Sequence, residues 1–303
     1  MAVYVVGDFL RETRLRKGYT QEEVSYGICT PASLSRIENG AQKPGRLILE
    51  KLFERLGTEN NLFNSFVSRE DMELYSAIQE LIRNITDDDV AKIEAQIEVV
   101  EKLSTNASEL EHQCLYFAKG ELERQREKND EKAMKMYMKA IQITLPDFDG
   151  KNPLRNNLLT FDEIMIINAI AILHANGDDI MTAIKLDTWL KEYMEEKVVD
   201  GKMKTAKYPM ILYNLSYWLG EESCHKEALK YAEQGVEFCI KYGNLAFFPI
   251  LLFNKGGALA EIGEVERARK YLHQSITIFE AMERPDLIQI AVEWCRIHYL
   301  IEF

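Results

Sequence analysis

Long apolar runs are absent from this sequence. The chain of 303 residues contains no uninterrupted apolar stretch of about 18 residues, the length that a membrane-spanning helix needs. Met1–Val6 is too short to be the apolar core of a signal peptide. We therefore expect a cytoplasmic protein without a membrane segment.

Cysteine and histidine are scarce, and neither is grouped as metal ligands are. The five cysteines are scattered and form no CxxC pair, which excludes a disulfide framework and favours reduced thiols in the core. No histidine pair has ligand spacing with a cysteine. The sequence also lacks GxxxxGKS/T, GxGxxG, HExxH and GxSxG, the short motifs of common enzyme classes. We expect no metal, no cofactor and no catalytic residue, and hence no enzyme.

Strand-like runs are missing as well, and the chain has only seven prolines. From about Asp71 to the end, apolar residues recur at three- and four-residue spacing, which indicates one helix after another. The longest expected loop is Pro146–Thr160. The pattern predicts an all-α body with helices near residues 72–84, 87–103, 107–126, 130–145, 161–175, 179–197, 205–220, 224–241, 246–261, 265–281 and 286–301.

The stretch TQEEVSYGICTPASLSRIENGAQKP, which begins at Thr20, carries the strongest local pattern. Thr20 and Glu23 have the spacing of a capping box at the start of one helix. Thr30 can cap a second helix, which has Pro31 at its first position and ends before Gly40. Two short helices joined by a tight turn predict a helix-turn-helix, whose second helix fits a DNA major groove.

Further helices are expected on both sides of this motif. A preceding helix ends near Gly18, and a closing helix ends at Gly57. The apolar faces of these two helices are assigned to Phe9, Leu10, Thr13, Leu15, Leu47, Leu49, Leu52, Phe53 and Leu56. The order is therefore a helix, the helix-turn-helix and a closing helix.

These first 57 residues resemble the Xre/Cro-type repressor family. The matching residues are Leu10, Arg14, Gly18, Thr20, Gln21, Val24, Leu34, Ser35, Arg36, Ile37, Glu38, Gly40 and Pro44. The resemblance implies a five-helix-type DNA-binding head, which we place at residues 1–67. It also implies that Arg14 and Glu38 form a structural ion pair that fixes the recognition helix.

The net charge of −12 is unevenly distributed along the chain. Residues 1–56 carry nine Lys and Arg against seven Asp and Glu, a net charge of +2, and the remainder has a net charge of −14. DNA phosphates respond to charges within a Debye length of about 8–10 Å, so the local charge of the head decides DNA binding. The acidic remainder is not expected to bind nucleic acid itself.

The first residues of a recognition helix approach the base edges. Thr30 and Ser33 offer hydroxyls, and Ala32 can touch a thymine methyl. Arg36 can read a guanine or bind a phosphate, and the sequence leaves both roles open. By family resemblance, Gln21 bonds a phosphate. The residues expected to follow the DNA backbone are Asn39, Gln42, Lys43 and Arg46.

The body contains weak internal repeats. The segments IINAIAILHANGDDIMTAIKL, LYNLSYWLGEESCHKEALKYA and LFNKGGALAEIGEVERARKYL each have an Asn, a turn and an Ala in the next helix. The alanines are Ala183, Ala228 and Ala268, and Ala133 begins a similar unit. Small residues at a crossing let paired helices approach closely. We expect a right-handed tetratricopeptide-like solenoid over residues 68–303, with the last helix as a cap.

The inner wall of such a solenoid usually holds an extended peptide or a partner helix. Asn168, Asn214 and Asn254 recur at the same repeat position, and an amide can bond both N–H and C=O of an extended backbone. The alternative, that these asparagines satisfy helix ends or face solvent, stays open. Tyr217 and Phe253 are the best candidates to line pockets for peptide side chains.

The two domains together resemble the peptide-pheromone-responsive regulators of Gram-positive bacteria (the Rgg, PlcR, PrgX and NprR group). Most of the likeness lies in ICTPASLSRIEN and in Asn168–Ala171. The resemblance implies a homodimer that binds double-stranded DNA, takes a short signalling peptide in its concave groove and repositions its two heads.

Two other functions stay open. In one, the body only dimerises or binds a partner protein. In the other, the helical domain is a small-molecule sensor or an enzyme.

Overall fold

The regular structure of the chain is α-helical, as the sequence predicts. The computed structural model describes residues 2–58, 69–86, 90–104, 108–154, 157–197, 199 and 201–299. The helices in these ranges are α1 (Ala2–Arg16), α2 (Gln21–Ser25), α3 (Pro31–Glu38), α4 (Arg46–Arg55), α5 (Arg69–Thr86), α6 (Val90–Leu103), α7 (Glu109–Gln125), α8 (Asp130–Thr144), α9 (Phe161–Asn176), α10 (Ile180–Glu196), α11 (Gly201–Glu221), α12 (His225–Tyr242), α13 (Phe248–Glu261), α14 (Val265–Ala281) and α15 (Pro285–His298). None of these helices has the length and hydrophobicity of a membrane span.

Every helix predicted for the body is present, as α5 to α15. The expected starts and ends agree within a few residues, because the loops between these helices contain Gly, Pro, Asn and Asp. Residues 87–89, 107 and 300–301, which the sequence also assigns to helices, lie outside the described residues. A fifth helix of the head would fall in residues 59–67, which also lie outside them.

The helix-turn-helix forms through the caps that the sequence predicts. The Thr20 hydroxyl accepts the Glu23 N–H at 3.1 Å, and the Glu23 carboxylate accepts the Thr20 N–H at 2.7 Å. The Thr30 hydroxyl accepts the Ser33 N–H at 3.1 Å, and Pro31 occupies the first turn of α3. The turn between the helices passes through Gly27, whose φ of +67° favours glycine.

The core of the head is made by fully buried residues of its four described helices, among them Leu10, Val24, Leu34, Leu52 and Phe53. Leu15 was expected on this apolar side, and that expectation is wrong, because its side chain is 58% exposed. Five residues separate it from Leu10, a rotation of about 140° around the helix axis.

The helices of the body pack as neighbouring pairs, α7 with α8, α11 with α12 and α13 with α14. The repeat alanines Ala133, Ala228 and Ala268 are buried, as the close approach of paired helices requires. Gly256 in α13 shows how tight this approach is, since a Cβ there would lie 2.6 Å from Leu272 Cγ in α14. Ala183 in α10 is also fully buried.

The contacts divide the chain into two compact units. One contains the described residues of 1–177 and 197–200, and the other those of 178–196 and 201–303. The head therefore shares a unit with the first part of the body. The functional division at residues 1–67 and 68–303 stays a prediction.

Two buried ion pairs attach the head to α9 within the first unit. Lys51 Nζ lies 2.9 Å from Asp162 Oδ2, and Arg55 Nη2 lies 2.8 Å from Glu163 Oε1. Both carboxylates belong to the first turn of α9, where the helix dipole favours negative charge. Glu54 adds a third contact, because its Oε2 accepts the Phe161 N–H at 2.9 Å. The last two turns of α4 are thus fixed to the N-terminus of α9.

The turn of the helix-turn-helix also packs on the body in this unit. The Tyr26 hydroxyl donates to Asp147 Oδ2 at 2.7 Å, which raises the pKa of Tyr26 to about 12. A Cβ at Gly27 would overlap the carbonyl of Thr144 at the end of α8. Gly27 is therefore required by the backbone angle and by this contact.

The cysteines follow the expected distribution with one exception. Cys114, Cys239 and Cys295 are buried and Cys29 is half-buried, but Cys224 is exposed. The expectation of core thiols is wrong for Cys224, because this residue lies in the exposed turn that precedes α12.

Candidate nucleic-acid interface and ligand groove

The N-terminal part of α3 presents a polar surface. Thr30, Ala32 and Arg36 are exposed and Ser33 is half-buried. Arg36 donates through Nη2 to Ser33 Oγ at 3.2 Å and through Nε to Gln42 Oε1 at 3.0 Å. These two bonds hold the guanidinium beside the start of α3, where a base edge would be read.

Arg14 and Glu38 form a buried ion pair between α1 and α3. Arg14 Nε and Nη2 donate to the two carboxylate oxygens of Glu38 at 2.6 and 2.8 Å. The hydrogen bond to Glu38 raises the pKa of Arg14, which is therefore a permanent cation. Arg14 Nη1 also donates to the Tyr19 carbonyl at 3.0 Å. The pair joins α1, α3 and the residues before α2.

Gln21 is bonded to the same pair. Its Nε2 donates to Glu38 Oε2 at 2.7 Å, and its side chain is half-buried. The structure thus places this amide on Glu38 at the start of α2. A phosphate contact by Gln21 stays a prediction.

The residues expected to follow the DNA backbone do not form one group. Asn39 and Lys43 are exposed after α3, and Gln42 is half-buried and holds Arg36. Arg46 is half-buried, and its guanidinium carbon lies 3.6 Å from the ring centre of Tyr75 in α5. A contact of these four residues with the DNA backbone stays a prediction. Arg11 was not predicted, but this exposed cation of α1 donates to Asn39 Oδ1 at 3.5 Å.

The second candidate site is a groove in the C-terminal unit, with a volume of about 560 Å³. We call it the C-terminal groove. Most of its walls come from α11, α13 and α15, which are the first helices of two pairs and the last described helix. His225 and Ala228 of α12 and Phe279 of α14 also line it. Its lining includes Tyr213, Ser216, Tyr217, Gly220 and Glu221 of α11, Phe253, Asn254, Gly257 and Glu261 of α13, Ile290, Trp294 and His298 of α15, and Tyr299.

The structure brings three of the five predicted peptide-binding residues together in this groove: Tyr217, Phe253 and Asn254. Tyr217 is exposed, and the other two are half-buried. Asn254 Nδ2 donates to Ser216 Oγ at 2.8 Å, so its amide plane is fixed across α11 and α13. These three residues offer a stacking surface, an apolar surface and an amide at one place.

Asn214 is not part of the groove lining. It is buried, and its Nδ2 donates to Asp187 Oδ2 of α10 at 2.9 Å. Asn168 belongs to the other compact unit, where it is buried in α9. The shared repeat position of the three asparagines therefore corresponds to three different surroundings.

Trp294, His298 and Tyr299 contribute to the groove, and the sequence pattern did not single them out. The rings of Trp294 and His298 stack with centres 4.1 Å apart. Tyr213 and Tyr217 of α11 form a second stack, with centres 6.4 Å apart. The sequence predicts α15 only as a cap. Its aromatic residues were not among the aligned repeats, so the alignment could not identify them as groove residues.

Comparison with known proteins supports the assignment of the head. Residues 5–66 match the family model described as a helix-turn-helix domain. Over 63 residues, the chain is 38% identical to the uncharacterized HTH-type transcriptional regulator YqaF of Bacillus subtilis (strain 168). The match covers 20% of this chain and 83% of that protein.

Comparison of folds extends over nearly the whole chain. The structure of Bacillus thuringiensis PlcR in complex with the peptide PapR7 and DNA is similar with a TM-score of 0.58 at 17% identity. The match covers 95% of this chain and 98% of that one. The apo form of PlcR gives a TM-score of 0.59, also at 17% identity, and covers 96% of this chain and 98% of that one.

At this level of identity, the likeness to PlcR shows a shared fold, with a helix-turn-helix head and a helical body. The cap geometry of α2 and α3 and the sequence match of the head identify the DNA-binding part of that fold. The chain belongs to the family of helix-turn-helix transcriptional regulators.

Proposed function

We propose that this transcriptional regulator is controlled by a short peptide that binds in the C-terminal groove. The observation that carries the proposal is the groove itself. It combines aromatic and aliphatic side chains with a fixed amide at Asn254, and it runs across the inner helices of successive pairs. Peptides bind such repeat surfaces in an extended form, which needs both apolar pockets and groups that bond the backbone.

The fold comparison supports the same choice of ligand. The PlcR structure contains the peptide PapR7 together with DNA, on a chain of the same fold. A groove of about 560 Å³ is within the range of ordinary ligand sites. We therefore place the peptide contacts of this chain at Tyr217, Phe253 and Asn254, with Trp294 and Ile290 on the facing wall.

The DNA-binding side of the proposal uses the exposed surface of α3. Thr30, Ala32, Ser33 and Arg36 would face the bases, while Asn39, Lys43 and Arg11 would lie against phosphates. The positive head provides the local charge for this contact. A protein with this task works in the compartment that holds the DNA, which is the cytoplasm in a bacterium, and its role is regulatory rather than enzymatic.

We further propose that the regulator is a homodimer. Dimeric helix-turn-helix proteins read two half-sites whose centres are about 34–36 Å apart or a multiple of that distance. A peptide can change DNA binding only if its affinity differs between two arrangements of the dimer. The peptide would thus shift the population between arrangements that do and do not match the two half-sites.

The first test measures thermal unfolding of the full chain in the presence of size-fractionated culture medium from the source organism. Gly220→Trp blocks the groove, because Gly220 lines it and a Cβ there has no atom within 4 Å. Gly201→Trp is the matched control, since Gly201 has the same free space at the other end of α11 and is outside the groove. A ligand that binds only the folded state raises the unfolding midpoint.

We expect a peptide-sized, protease-sensitive fraction to raise the midpoint of the wild type and of Gly201→Trp, but not that of Gly220→Trp. If no fraction changes any midpoint, the peptide proposal fails and the adaptor function, with a partner protein on the body, takes its place. A protease-resistant fraction that acts in the same way would instead identify a small-molecule sensor.

A further inference from the structure

Two glutamates that line the C-terminal groove lie at helix C-termini, where a negative charge is unfavourable. Glu221 is the last residue of α11 and Glu261 is the last residue of α13, and neither helix has a basic residue in its last turn. The C-terminus of a helix already carries about half a negative charge, so a carboxylate there is destabilising. A sequence that departs from a local stability rule often does so at a functional site.

The groove offers these carboxylates little compensation. Among the described residues that line it there is no Lys or Arg. Two histidines are among the described lining residues: His225 Nε2 lies 3.9 Å from Glu261 Oε2, and His298 stacks on Trp294. The described lining therefore combines two carboxylates, each at a helix C-terminus, with no Lys or Arg side chain.

The two glutamates act on the same aromatic residue. Both glutamates share the groove lining with Tyr299. Burial raises the pKa of Tyr299, the hydrogen bond with Trp294 lowers it, and the charges of Glu261 and Glu221 raise it further. Burial followed by the charge of Glu221 also raises the pKa of Tyr217. Both tyrosines line the groove. A carboxylate beside an aromatic ring is a favourable site for a cation, because the charge and the ring face both attract it.

We propose that the ligand of the C-terminal groove is a short peptide whose cationic group binds against Glu221 and Glu261, with an adjacent apolar residue on Phe253 and Ile290. The cation is a Lys or Arg side chain or a free N-terminal ammonium. This inference rests on the proposed peptide control and adds the charge of the peptide. A peptide with an acidic residue at this position would be repelled.

The test is affinity selection on the full-length protein, followed by mass spectrometry of the retained peptides. The probes are four synthetic mixtures of heptapeptides whose other residues are uncharged. Three are acetylated and amidated and contain one Lys, one Gln or one Glu at varied positions, and the fourth is the Gln mixture with a free N-terminus. Wild type is compared with the E221Q/E261Q double variant, with Gly220→Trp and with Gly201→Trp. The two Gln substitutions keep the size of exposed side chains and remove only their charge.

We expect the Lys or the free-amine mixture to be retained about fivefold to tenfold better than the acetylated Gln mixture, and the Glu mixture least. The mixture that is preferred identifies the source of the cation. The preference should disappear in E221Q/E261Q and persist in Gly201→Trp. Equal retention of the four mixtures by wild type, a preference for Glu, or an unchanged preference in E221Q/E261Q overturns the charge inference.

The same experiment separates this inference from the proposed function. If peptides are retained by wild type and lost in Gly220→Trp, but without charge preference, the groove binds peptide and only the charge inference fails. If Gly220→Trp retains peptides as well as wild type does, the groove is not the peptide site and both proposals fail.

Discussion

At the scale of single residues, the polar side chains of the head divide into a bonded interior set and an exposed set on α3. Arg14, Gln21 and Glu38 bond one another. Arg36 and Lys43 remain on the surface. The family pattern predicts both sets, because a buried Arg needs a carboxylate and an exposed Arg near the start of a recognition helix has access to DNA.

Removing the interior cation should damage the stability of the head. Arg14→Ala leaves the buried carboxylate of Glu38 without its main partner, so we expect unfolding of the head to become easier by about 3–5 kcal/mol. Urea unfolding followed by circular dichroism measures this, with Arg11→Ala as the exposed control on the same helix. DNA affinity should fall with the base preference unchanged. A switched base preference would contradict the structural role.

Removing the exposed cation should act on DNA recognition alone. Arg36→Ala should leave the unfolding midpoint unchanged and reduce discrimination between specific and random DNA by about 1–3 kcal/mol if the guanidinium reads a base. Lys43→Ala is the control, since loss of a phosphate contact weakens binding evenly across sequences. Competition binding with selected and random duplexes distinguishes the two. If Arg36→Ala keeps the discrimination between specific and random DNA, Arg36 does not read a base.

The asparagines show where a residue pattern is insufficient. Asn214→Ala removes a buried donor to the carboxylate of Asp187, so we expect a loss of about 1–3 kcal/mol in unfolding free energy. Asn254→Ala should cost less stability, because Asn254 is half-buried, and should weaken peptide binding instead. Urea unfolding and the peptide assay applied to both variants check this exchange of roles. If Asn214→Ala keeps the unfolding free energy of the wild type but no longer binds peptide, Asn214 is a peptide contact rather than a structural residue.

At the scale of helices, the sequence predicts where each helix lies but not always which face it presents. The spacing of apolar residues and the loop residues locate α5 to α15. In α9, however, consecutive residues such as Ile166, Ile167 and Asn168 are all buried. A helix packed on every side has no apolar stripe, so the direction of Asn168 could not be inferred from periodicity.

The junction between α4 and α9 could not be predicted for a related reason. It depends on residues about 110 positions apart, and each of its charged residues also fits a solvent-exposed helix. Asp162 and Glu163 follow the first-turn pattern of any helix, and Lys51 and Glu54 have the spacing of an ordinary surface pair. Only the fold brings the two pairs together and buries them.

This junction should give the protein a pH-dependent stability. Burial raises the pKa of Glu54 from 4.5 to about 7, against the lowering effect of Lys51. The folded protein therefore binds this proton more tightly than the unfolded chain does. The resulting stabilisation is complete below about pH 4.5 and is lost as the pH rises to about 7.

Glu54→Gln isolates this contribution. The difference in unfolding midpoint, variant minus wild type, should grow more positive between pH 4.5 and pH 7 and then level off. Glu12→Gln on the exposed surface of α1 is the matched control and should show a flat difference. Differential scanning calorimetry across this pH range gives the result. A flat difference for Glu54→Gln as well would show that Glu54 is ionised throughout.

At the scale of the whole molecule, charge is unevenly distributed along the chain, and the proposed function assigns a different ligand to each part. Residues 1–56 have a net charge of +2, and residues 57–303 have a net charge of −14. The charge division predicts DNA for the head. It does not predict the C-terminal groove, because the groove depends on α15 closing against α11 and α13 and on residues that no repeat pattern marks.

If one protein joins these two sites, their affinities must be linked in both directions. A peptide that changes DNA affinity by a given factor requires DNA to change peptide affinity by the same factor. We expect equal factors, each about 5-fold to 150-fold, from titrations of DNA with and without a selected peptide and of that peptide with and without operator duplex. Gly220→Trp should keep its DNA affinity and show no peptide effect, while Gly201→Trp should behave as wild type.

A peptide that binds the wild-type groove tightly but gives factors of one in both titrations would show that the groove does not control the head. In that case the peptide would have the same affinity for both arrangements of the protein, and the regulation would require a different ligand.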